Sequence, residues 1–250
     1  MSEADKTALL ETCFRTLKNF SMKSKITNLS RIERKKIETR KRLLRAGYNA
    51  MTIAGVEGVS VAKLTTAADI GFGTFYNYFR NIDELASHIL ACVIDDLGRR
   101  NDHATEYLKK SNPAAVQAIS IRLTMHEMLN DEIWKWWLRQ PEKLAEQMLI
   151  SFRPFAVRDL RLGIEAGRYA IHEGEVEAVW SQQVWMLVGG VITMLGRSSS
   201  NLDEKRLIEI IMRAMGCSSA MANELSQMDL PKIAKPDVDY SIEYSEVVIG

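Results

Sequence analysis

Glycine and proline are scarce in this sequence, and their scarcity limits the folds that the chain can adopt. Only 14 Gly and 5 Pro occur in 250 residues, which is below the average usage of both residues. A β-sandwich or β-barrel needs a turn about every 8–12 residues, and Gly and Pro are prominent among the residues that form such turns. The hydrophobic fraction of 46% is large enough for a substantial core, which excludes an extensively disordered chain. The composition therefore favours an all-α fold.

The N-terminal residues and the cysteines both indicate a cytoplasmic protein. The first twenty residues mix acidic and basic side chains and lack the apolar region and cleavage site of a signal peptide. The longest apolar stretches, such as 184–195, are shorter than the roughly 18 residues that span a bilayer. Cys13, Cys92 and Cys217 are far apart and odd in number, which argues against a disulfide framework or a zinc cluster. We expect no association with a membrane.

Positive charge is concentrated in one segment, residues 23–45, although the whole chain has a formal net charge of only +1. This segment contains ten Lys or Arg residues against Glu33 and Glu38, which gives it a local charge of +8. One interpretation is an ordinary solvated helix face, and the other is a surface that binds a polyanion. Charge alone does not decide between them.

Apolar residues recur at helical spacing along most of the chain, and they predict a series of helices. Ser60, and Asn112 followed by Pro113, are well placed to begin two of them. The predicted helices cover approximately residues 5–20, 30–54, 61–68, 72–79, 85–108, 113–129, two short segments beginning at 131 and 141, 154–172, 175–195 and 203–215.

Residues 61–79 form the pattern of a helix-turn-helix. Two short predicted helices are joined there by the turn Asp69-Ile70-Gly71, a connection of the length that this motif requires. A pair of short helices cannot bury its own apolar faces. We therefore expect the long helix 30–54 to complete a three-helix bundle, with Phe75, Tyr78 and Phe79 in its core rather than on its surface.

The residues around this motif resemble TetR-type transcriptional regulators. The resemblance is carried by GVEGVSVAKL at 55–64, AADI at 67–70, GTFYNYF at 73–79 and Asp83-Glu84-Leu85, and it covers about residues 30–95. It implies an all-α fold with a three-helix helix-turn-helix DNA-binding domain and a helical regulatory and dimerisation domain. The expected organisation is an N-terminal extension at 1–29, the DNA-binding domain at 30–82, the ligand-binding and dimerisation domain at 83–228 and an acidic tail at 229–250.

The resemblance also implies which side chains contact double-stranded DNA. Helix 72–79 matches the recognition helix that enters the major groove, and hydroxyl, amide and lysine side chains around it are suited to phosphate oxygens. Phe72 is suited to a thymine methyl group. The candidate contacts are Lys63, Thr65, Phe72, Gly73, Thr74, Tyr76 and Asn77, together with Arg31, Arg34 and Lys35 of the basic segment.

Three positions depart from the pattern of the family. Asp69 stands where Gly is commonest, but Asp tolerates the left-handed backbone that the turn needs. Gly71-Phe72 replaces a common Ser-Lys pair, and Ile82 replaces a Lys that often contacts phosphate. Because about two phosphate contacts are lost in each subunit, we expect the basic residues 23–36 to compensate as an arm that reaches an adjacent minor groove.

A cavity for a small-molecule effector is the second implication of the resemblance. Adaptable Met and aromatic side chains suit an apolar ligand, although the same spacing is typical of an ordinary core. Four arginines at 153–168 suggest an anionic ligand, but Arg161, Glu165 and Arg168 have the spacing of a surface ion-pair ladder, which we favour. The candidate ligand contacts are Met125, Met128, Trp134, Trp137, Phe152, Phe155, Tyr169, Trp180 and Trp185.

The sequence contains no motif of an enzyme. It lacks HExxH, a P-loop, GxSxG and a complete dinucleotide fingerprint, and its four histidines are scattered. We expect no catalytic residue, metal or cofactor. The expected function is that of a homodimeric repressor released from a palindromic operator by a small, largely apolar ligand. One alternative is a DNA-binding regulator without an effector. The other is a helical small-molecule-binding protein or enzyme that no longer binds DNA, for which Ile82 is the one supporting feature.

The tail from Asp229 onward has a different composition. Acidic residues outnumber Lys232 and Lys235, and Pro231 and Pro236 prevent a continuous helix. Apolar residues alternate with polar ones from Val238 to Tyr244, which is a strand-like pattern without a partner strand. We expect disorder or loose docking on the body rather than a strand.

Overall fold

The computed structural model describes residues 30–196 and 202–240, and their regular secondary structure is helical, with no β-strand among them. The predicted all-α class is confirmed. The α-helices are α1 (Arg31–Ala54), α2 (Val61–Ala67), α3 (Ile82–Thr105), α4 (Pro113–Asn130), α5 (Glu132–Trp137), α6 (Pro141–Ser151), α7 (Arg153–Glu165), α8 (Val176–Leu195), α9 (Glu204–Ala214) and α10 (Ser219–Gln227). Short 3₁₀ helices cover Val56–Gly58, Phe72–Asn77, Glu106–Leu108 and Glu173–Glu175. The predicted helix 5–20 lies outside the described residues.

Helix α1 begins where its sequence provides a capping box. The Ser30 hydroxyl accepts a hydrogen bond from the Glu33 amide at 3.2 Å, and the Glu33 carboxylate accepts one from the Ser30 amide at 2.8 Å. Two backbone donors that the helix itself leaves unpaired are thereby satisfied. The buried face of α1 includes Leu43, Leu44 and Met51, which pack in the core. Helix 30–54 was therefore predicted with nearly the observed bounds.

Helix α2 and the turn after it also follow the sequence prediction. The Ser60 side chain caps α2 by accepting from the Lys63 amide. Asp69 adopts a φ of +51°, and among the described residues it is the one non-glycine residue with a positive φ. An aspartate at this position therefore adopts the left-handed backbone expected of it.

The segment Phe72–Asn77, called the recognition segment below, is a 3₁₀ helix and not the predicted α-helix. Its hydrogen bonds join residues three apart, as in the 2.9 Å bond from the Tyr78 amide to the Phe75 carbonyl. Glycines at 71 and 73 weaken α-helix formation. A segment of six residues is also too short for helix propagation to offset the unfavourable free energy of nucleation. Phe75 and Phe79 are buried as expected, which ties the segment to the core.

Helix α3 connects the N-terminal helices to the rest of the chain. Asn81 caps it by accepting from the Glu84 amide at 2.8 Å. It packs against α1, α4 and α6. Near its start, Leu85 and Ile89 lie close to Gly47 of α1. Near its end, Asn101 donates a hydrogen bond to the Ser120 carbonyl of α4. One continuous helix therefore contacts both the N-terminal helix α1 and helices of the C-terminal part of the chain.

The C-terminal helices differ from the prediction at two places. Helix α7 ends at Glu165 rather than near residue 172, because Gly167 takes a φ of +64° and the Arg168 amide turns back to the Gly163 carbonyl. This is the usual way in which a left-handed glycine ends a helix. A further helix, α10, follows α9 and was not predicted. Its N-terminus is capped by the Ser218 side chain.

The described part of the tail, residues 229–240, docks on the body without forming a helix or a strand. Arg100 on α3 donates a hydrogen bond to the Ala234 carbonyl at 3.3 Å. Tyr240 is buried, and its ring centroid lies 6.2 Å from that of Tyr48 on α1. The tail therefore returns to the helix pair α1 and α3, as expected of a docked segment. Residues 241–250 lie outside the described residues.

We predict that Gly216→Ala destabilises the fold by about 1–3 kcal/mol. Gly216 follows α9 with a φ of +86°, and an added Cβ would lie 2.5 Å from the Ala170 Cβ and 2.8 Å from its backbone nitrogen. The substitution thus combines backbone strain with a clash that no side-chain rotation can relieve. Thermal and urea unfolding measure the effect. Gly174→Ala is the control because a Cβ there meets nothing within 4 Å. Equal stability of the two variants would contradict the prediction.

Candidate DNA-binding surface and ligand cavity

The recognition segment exposes two aromatic side chains on its outer face. Phe72 is 56% exposed and Tyr76 is 54% exposed. The Tyr76 ring stands edge-on to both neighbours, with centroids 6.0 Å from Phe72 and 5.3 Å from the buried Phe75. The inner aromatic residues therefore anchor the segment, while the outer pair is available for contact.

Four other predicted contacts also reach this surface. Gly73 and Asn77 are exposed, and Thr74 is half-buried. A Cβ at Gly73 would meet nothing within 4 Å, so the backbone there is open to close approach. Lys63 on α2 is exposed, and its ammonium group donates to the Gly58 carbonyl at 3.3 Å. The surface thus offers one cation, two polar side chains and an accessible backbone.

Thr65 does not lie on this surface, in contrast to its expected role. The residue is only 3% exposed, and its hydroxyl group donates within α2 to the carbonyl groups of Val61 and Ala62 at 2.9 and 3.1 Å. A threonine one helical turn after its acceptor commonly bonds in this way. Its side chain therefore has no exposed hydroxyl group to offer to a phosphate.

The basic face of α1 contains both exposed and packed residues. Arg31, Arg34 and Lys35 are exposed in the first turns of the helix. Arg40 is instead used in packing, because it lies over the Phe79 ring at 5.6 Å and its Nη2 is 3.2 Å from Nδ1 of His88 on α3. The positive charge of this segment therefore serves two purposes: the start of the helix faces solvent, and Arg40 holds α1 against α3.

A cavity of about 50 Å³ lies between α3, α4, α6, α7 and α8. A cavity of this size has room for a few water molecules or a small organic group. Its apolar lining is dominated by large side chains, namely Met148, Phe152, Phe155, Trp180, Val184 and Leu187. Gly98 on α3 provides the space for this lining, because a Cβ at that position would lie 2.7 Å from the Phe155 ring.

Polar side chains form the other part of the cavity wall. The side-chain amide of Gln117 on α4 donates to the side-chain amide oxygen of Gln183 on α8 at 2.9 Å, and both residues are buried. Asn101 on α3 donates to the Ser120 carbonyl and to the Thr124 hydroxyl, each at 3.2 Å. The Oδ1 atom of Asn101 is buried and has no hydrogen-bond partner among the described residues. An acceptor in that state costs about 1–3 kcal/mol, so a donor is expected there.

Asp102 and Asp159 complete the cavity wall, and the Arg158 side chain forms an ion pair with each of them. The Arg158 Nη2 atom lies 2.6 Å from Asp102 and 2.6 Å from Asp159. Burial acts to raise the pKa of Asp102, but the hydrogen bond from Lys109 and the charge of Arg158 outweigh it and hold the pKa below its usual value. For Asp159 burial dominates over the charge of Arg158, and it raises the pKa to about 6.

Comparison with known proteins agrees with this geometry. A family profile described as "Tetracyclin repressor-like, C-terminal domain" matches residues 112–228. Crystal structures of RolR are similar to this chain over most of its length. The predicted resemblance to TetR-type transcriptional regulators is thereby confirmed over residues 112–228. The helix-turn-helix residues lie outside the matched profile, and the similarity to RolR is consistent with their interpretation.

Two RolR structures and one more distant TetR-family protein give the extent of the similarity. RolR without ligand has 27% identity and a TM-score of 0.70, covering 77% of this chain and 99% of its own. RolR in complex with resorcinol has 28% identity and a TM-score of 0.73, covering 81% and 100%. A protein assigned to the same family from Shewanella sp. PV-4 has 12% identity and a TM-score of 0.51, covering 71% and 97%, and it shows the fold alone. No curated protein matches the sequence.

The structure divides the nine predicted ligand contacts into three groups. Phe152, Phe155 and Trp180 line the cavity. Trp185 is on the outer face of α8, 41% exposed to solvent. The remaining residues are buried in the core and are not among the residues that line the cavity: Met125, Met128, Trp134, Trp137 and Tyr169.

Sequence analysis missed the polar part of the cavity wall. Gln117 and Gln183 are amide residues within otherwise apolar stretches of α4 and α8, and Asn101 and Asp102 lie on a helix with a largely buried face. A buried amide in an apolar helix needs a hydrogen-bonding partner, and this requirement was the available signal. The hydrophobic pattern marked only the apolar residues.

The predicted ion-pair ladder on α7 does not form. Arg161 pairs with Glu173 at 2.7 Å instead of Glu165, because α7 ends before Arg168 and the chain brings Glu173 back alongside it. Arg153 pairs with Glu177 on α8. The interpretation of these two arginines as surface residues holds, since both are exposed. Arg158 is different, because it is largely buried and forms ion pairs with Asp102 and Asp159 of the cavity wall.

Two further features bear on the expected chemistry. No group of three His, Cys, Asp or Glu residues within the described ranges could hold a metal ion. Cys92 is fully buried, and burial raises the pKa of its thiol to about 12. The thiolate that would react is therefore essentially absent at neutral pH, as expected of an inert core cysteine.

One segment, Glu173–Leu195, is long and apolar enough to span a membrane by length and composition, with a mean hydropathy of 1.3. Sequence analysis judged the longest apolar stretches, such as 184–195, too short to span a bilayer. In the folded chain, Val184, Leu187, Val188 and Val191 of the segment pack into the core. Its apolar character is therefore partly explained by burial within the protein.

We predict that Asp159 makes stability depend on pH. The pKa of this carboxyl group rises from 3.8 to about 6 on folding, so the folded state binds more protons between these values. The contribution of Asp159 to stability is therefore fully present below about pH 4 and is lost as the pH rises through about 6. Relative to Asp159→Asn, the wild-type protein should gain stability when the pH falls from 7.5 to 5.

Thermal unfolding of both proteins at the two pH values measures this change. Asp102 contributes little to this difference, because the pKa of its carboxyl group lies below its usual value and the group is ionised at both pH values. A difference in melting temperature that is the same at both pH values would contradict the prediction.

Proposed function

We propose that this protein is a homodimeric repressor that leaves a palindromic operator when a small, largely apolar ligand occupies the cavity. The observation that carries the proposal is the course of α3. Near its N-terminal end, Leu85 and Ile89 pack closely against α1. Further along, the same helix supplies Gly98, Asn101 and Asp102 to the cavity wall. A change in the cavity therefore acts directly on the helix that supports the DNA-binding surface.

The DNA-binding role is assigned to residues 30–82. In this proposal the recognition segment enters the major groove, with Phe72 against a thymine methyl group and Tyr76 and Asn77 near the backbone. Thr74 and the open backbone at Gly73 belong to the same surface. The cations of this region bond or neutralise phosphate groups, and they are Lys63, Arg31, Arg34 and Lys35.

The ligand-binding role is assigned to the cavity within residues 83–228. A crystal structure of RolR contains resorcinol, a small aromatic diol. The aromatic and Met side chains of the cavity suit such a ring. The charged residues that line the cavity are the carboxylates of Asp102 and Asp159, and no cation is among the described lining residues. A neutral ligand is therefore favoured over the anionic one that the arginines suggested.

Release from DNA follows from a shift between two conformations. A dimer competent for DNA holds its two recognition segments about 34–36 Å apart, the repeat of one helical turn of DNA. A ligand that binds a differently spaced state more tightly reduces the competent population, by no more than its difference in affinity for the two states. The protein acts in the cytoplasm and needs no cofactor for this mechanism.

The outer face of α8 is proposed as the centre of the dimer interface. Trp185, Gly189 and Ile192 lie along one side of the helix and are exposed in the single chain. A Cβ at Gly189 would meet nothing within 4 Å, so a second helix has room to approach it. A symmetric dimer places the same patch on both subunits, and a palindromic operator requires that symmetry.

We predict that Ile192→Asp converts the dimer into monomers and weakens operator binding at least tenfold. The substitution places a charge in the middle of the proposed apolar interface, where its desolvation is unfavourable. Sedimentation velocity measures the association state. Ile150→Asp on α6 is the matched control, since Ile150 is 47% exposed and Ile192 is 37% exposed. Ile192→Asp dimers as stable as the wild type would contradict this interface.

Selection of bound sequences from a pool of random duplexes tests the function as a whole. The full-length protein is incubated with the pool at low and at moderate salt, and the retained DNA is sequenced. We expect an enriched palindrome with half-sites centred about 10 bp apart. Addition of resorcinol should then lower the affinity for that sequence. Retention without an enriched sequence would contradict a specific operator, and no retention at low salt would contradict DNA binding.

A pair of arginine variants separates specific phosphate contacts from general charge. Arg34→Gln should weaken operator binding and lower the slope of log affinity against log salt by about 0.9, as expected for one lost phosphate contact. Arg213→Gln removes an exposed arginine from the end of α9 and should leave the slope unchanged. Equal slopes for the two variants would exclude Arg34 from the contact surface.

A further inference from the structure

The strongest unexplained feature of the cavity is the side chain of Asn101. This residue lines the cavity and is only 4% exposed, yet its Oδ1 atom has no hydrogen-bond partner among the described residues. Buried polar atoms are almost always paired, by protein groups, water or a ligand. The position of Asn101 in a cavity wall indicates that the partner comes from the cavity contents.

The hydrogen bonds of Asn101 determine which end of its amide is unpaired. Its Nδ2 atom donates to the Ser120 carbonyl, which can only accept. It also donates to the Thr124 hydroxyl, whose own proton is used in a 2.9 Å bond to the same Ser120 carbonyl. Reversing the amide would place its oxygen against two acceptors. The unpaired atom is therefore an acceptor, and its partner has to be a donor.

The surroundings of Asn101 restrict the donor further. The aromatic side chains of Phe152, Phe155 and Trp180 share the cavity with it and favour a flat apolar group. The cavity volume of about 50 Å³ limits the ligand to a small molecule. A single aromatic ring with a hydroxyl substituent meets both requirements.

We propose that Asn101 is the specificity-determining residue of the effector cavity, and that it selects a small aromatic ligand whose hydroxyl group donates to its Oδ1 atom. The inference rests on the proposed function, in which this cavity holds the effector. The ring contacts the aromatic wall, and the hydroxyl group supplies the donor that the Oδ1 atom lacks. A ligand of the same shape without a donor leaves the buried acceptor unpaired and binds less tightly.

Phenol and toluene are the probes that test this selection. They are nearly the same size, and they differ by a hydroxyl group in place of a methyl group. Isothermal titration calorimetry on the full-length protein gives the dissociation constant of each. We expect phenol to bind about three- to tenfold more tightly than toluene, the effect of one neutral hydrogen bond at a buried site. This comparison in the wild-type protein shows whether the cavity selects for a hydroxyl group.

Asn101→Leu then identifies the residue responsible. Leucine has a similar size and no acceptor, so the ratio of the two dissociation constants should fall to about one or reverse in favour of toluene. Asn223→Leu makes the same change on the exposed surface of α10 and should retain the wild-type ratio. Circular dichroism checks that both variants are folded.

Each outcome has a defined meaning. A phenol preference in the wild type that disappears in Asn101→Leu supports the proposal. Equal binding of phenol and toluene to the wild type overturns it while leaving the cavity as an apolar ligand site. A phenol preference that persists in Asn101→Leu overturns the role of Asn101. Binding of neither probe, combined with no effect of resorcinol on operator binding, overturns both this inference and the proposed ligand response.

Discussion

The fold depends on the packing of α3 against helices from both parts of the chain. Near its N-terminal end, Leu85 and Ile89 press against Gly47 of α1 so closely that a Cβ at Gly47 would lie within 2.8 Å of both. About two and a half turns beyond Ile89, Gly98 leaves room for the rings of Phe152 and Phe155. Close-packed contacts of this kind transmit displacement, because an interior at crystal-like density has little free volume to absorb it. Because α3 is tightly packed at both places, it physically connects the cavity with the proposed DNA-binding surface.

The cavity wall combines large aromatic side chains with buried polar groups, and this combination is unfavourable for stability alone. Asp159 is buried with its pKa raised to about 6, and Asn101 has an unpaired acceptor. An apolar core of the same shape would avoid both costs. Polar groups in such a place are expected where a ligand completes the hydrogen bonds. The arrangement therefore favours an effector-responsive regulator over the alternative in which the Met and aromatic residues form a solid core.

The helix-turn-helix shows how departures from a family pattern are accommodated. Asp69 adopts the left-handed backbone itself, so the turn survives without glycine. Ile82, in place of a phosphate-binding lysine, is half-buried and packs against the core, and Arg40 uses its charge to hold α1 on α3. The exposed cations that remain for DNA in this region are concentrated at the start of α1. This distribution gives the first turns of that helix more weight in the proposed operator contacts.

Local sequence signals determined most of the helices and the family resemblance. Caps such as Ser30, Ser60 and Asn112 act within a few residues, so the helix starts were predictable, and the helix-turn-helix motif lies within one short segment. Only tertiary structure decided which residues form the cavity, because that depends on contacts between residues far apart in sequence. Gln117 meets Gln183 across 66 positions, and Arg158 meets Asp102 across 56. Periodicity marks a residue as buried, but it does not show whether the space beside it is filled by another side chain, as at Trp134, or left open, as at Trp180.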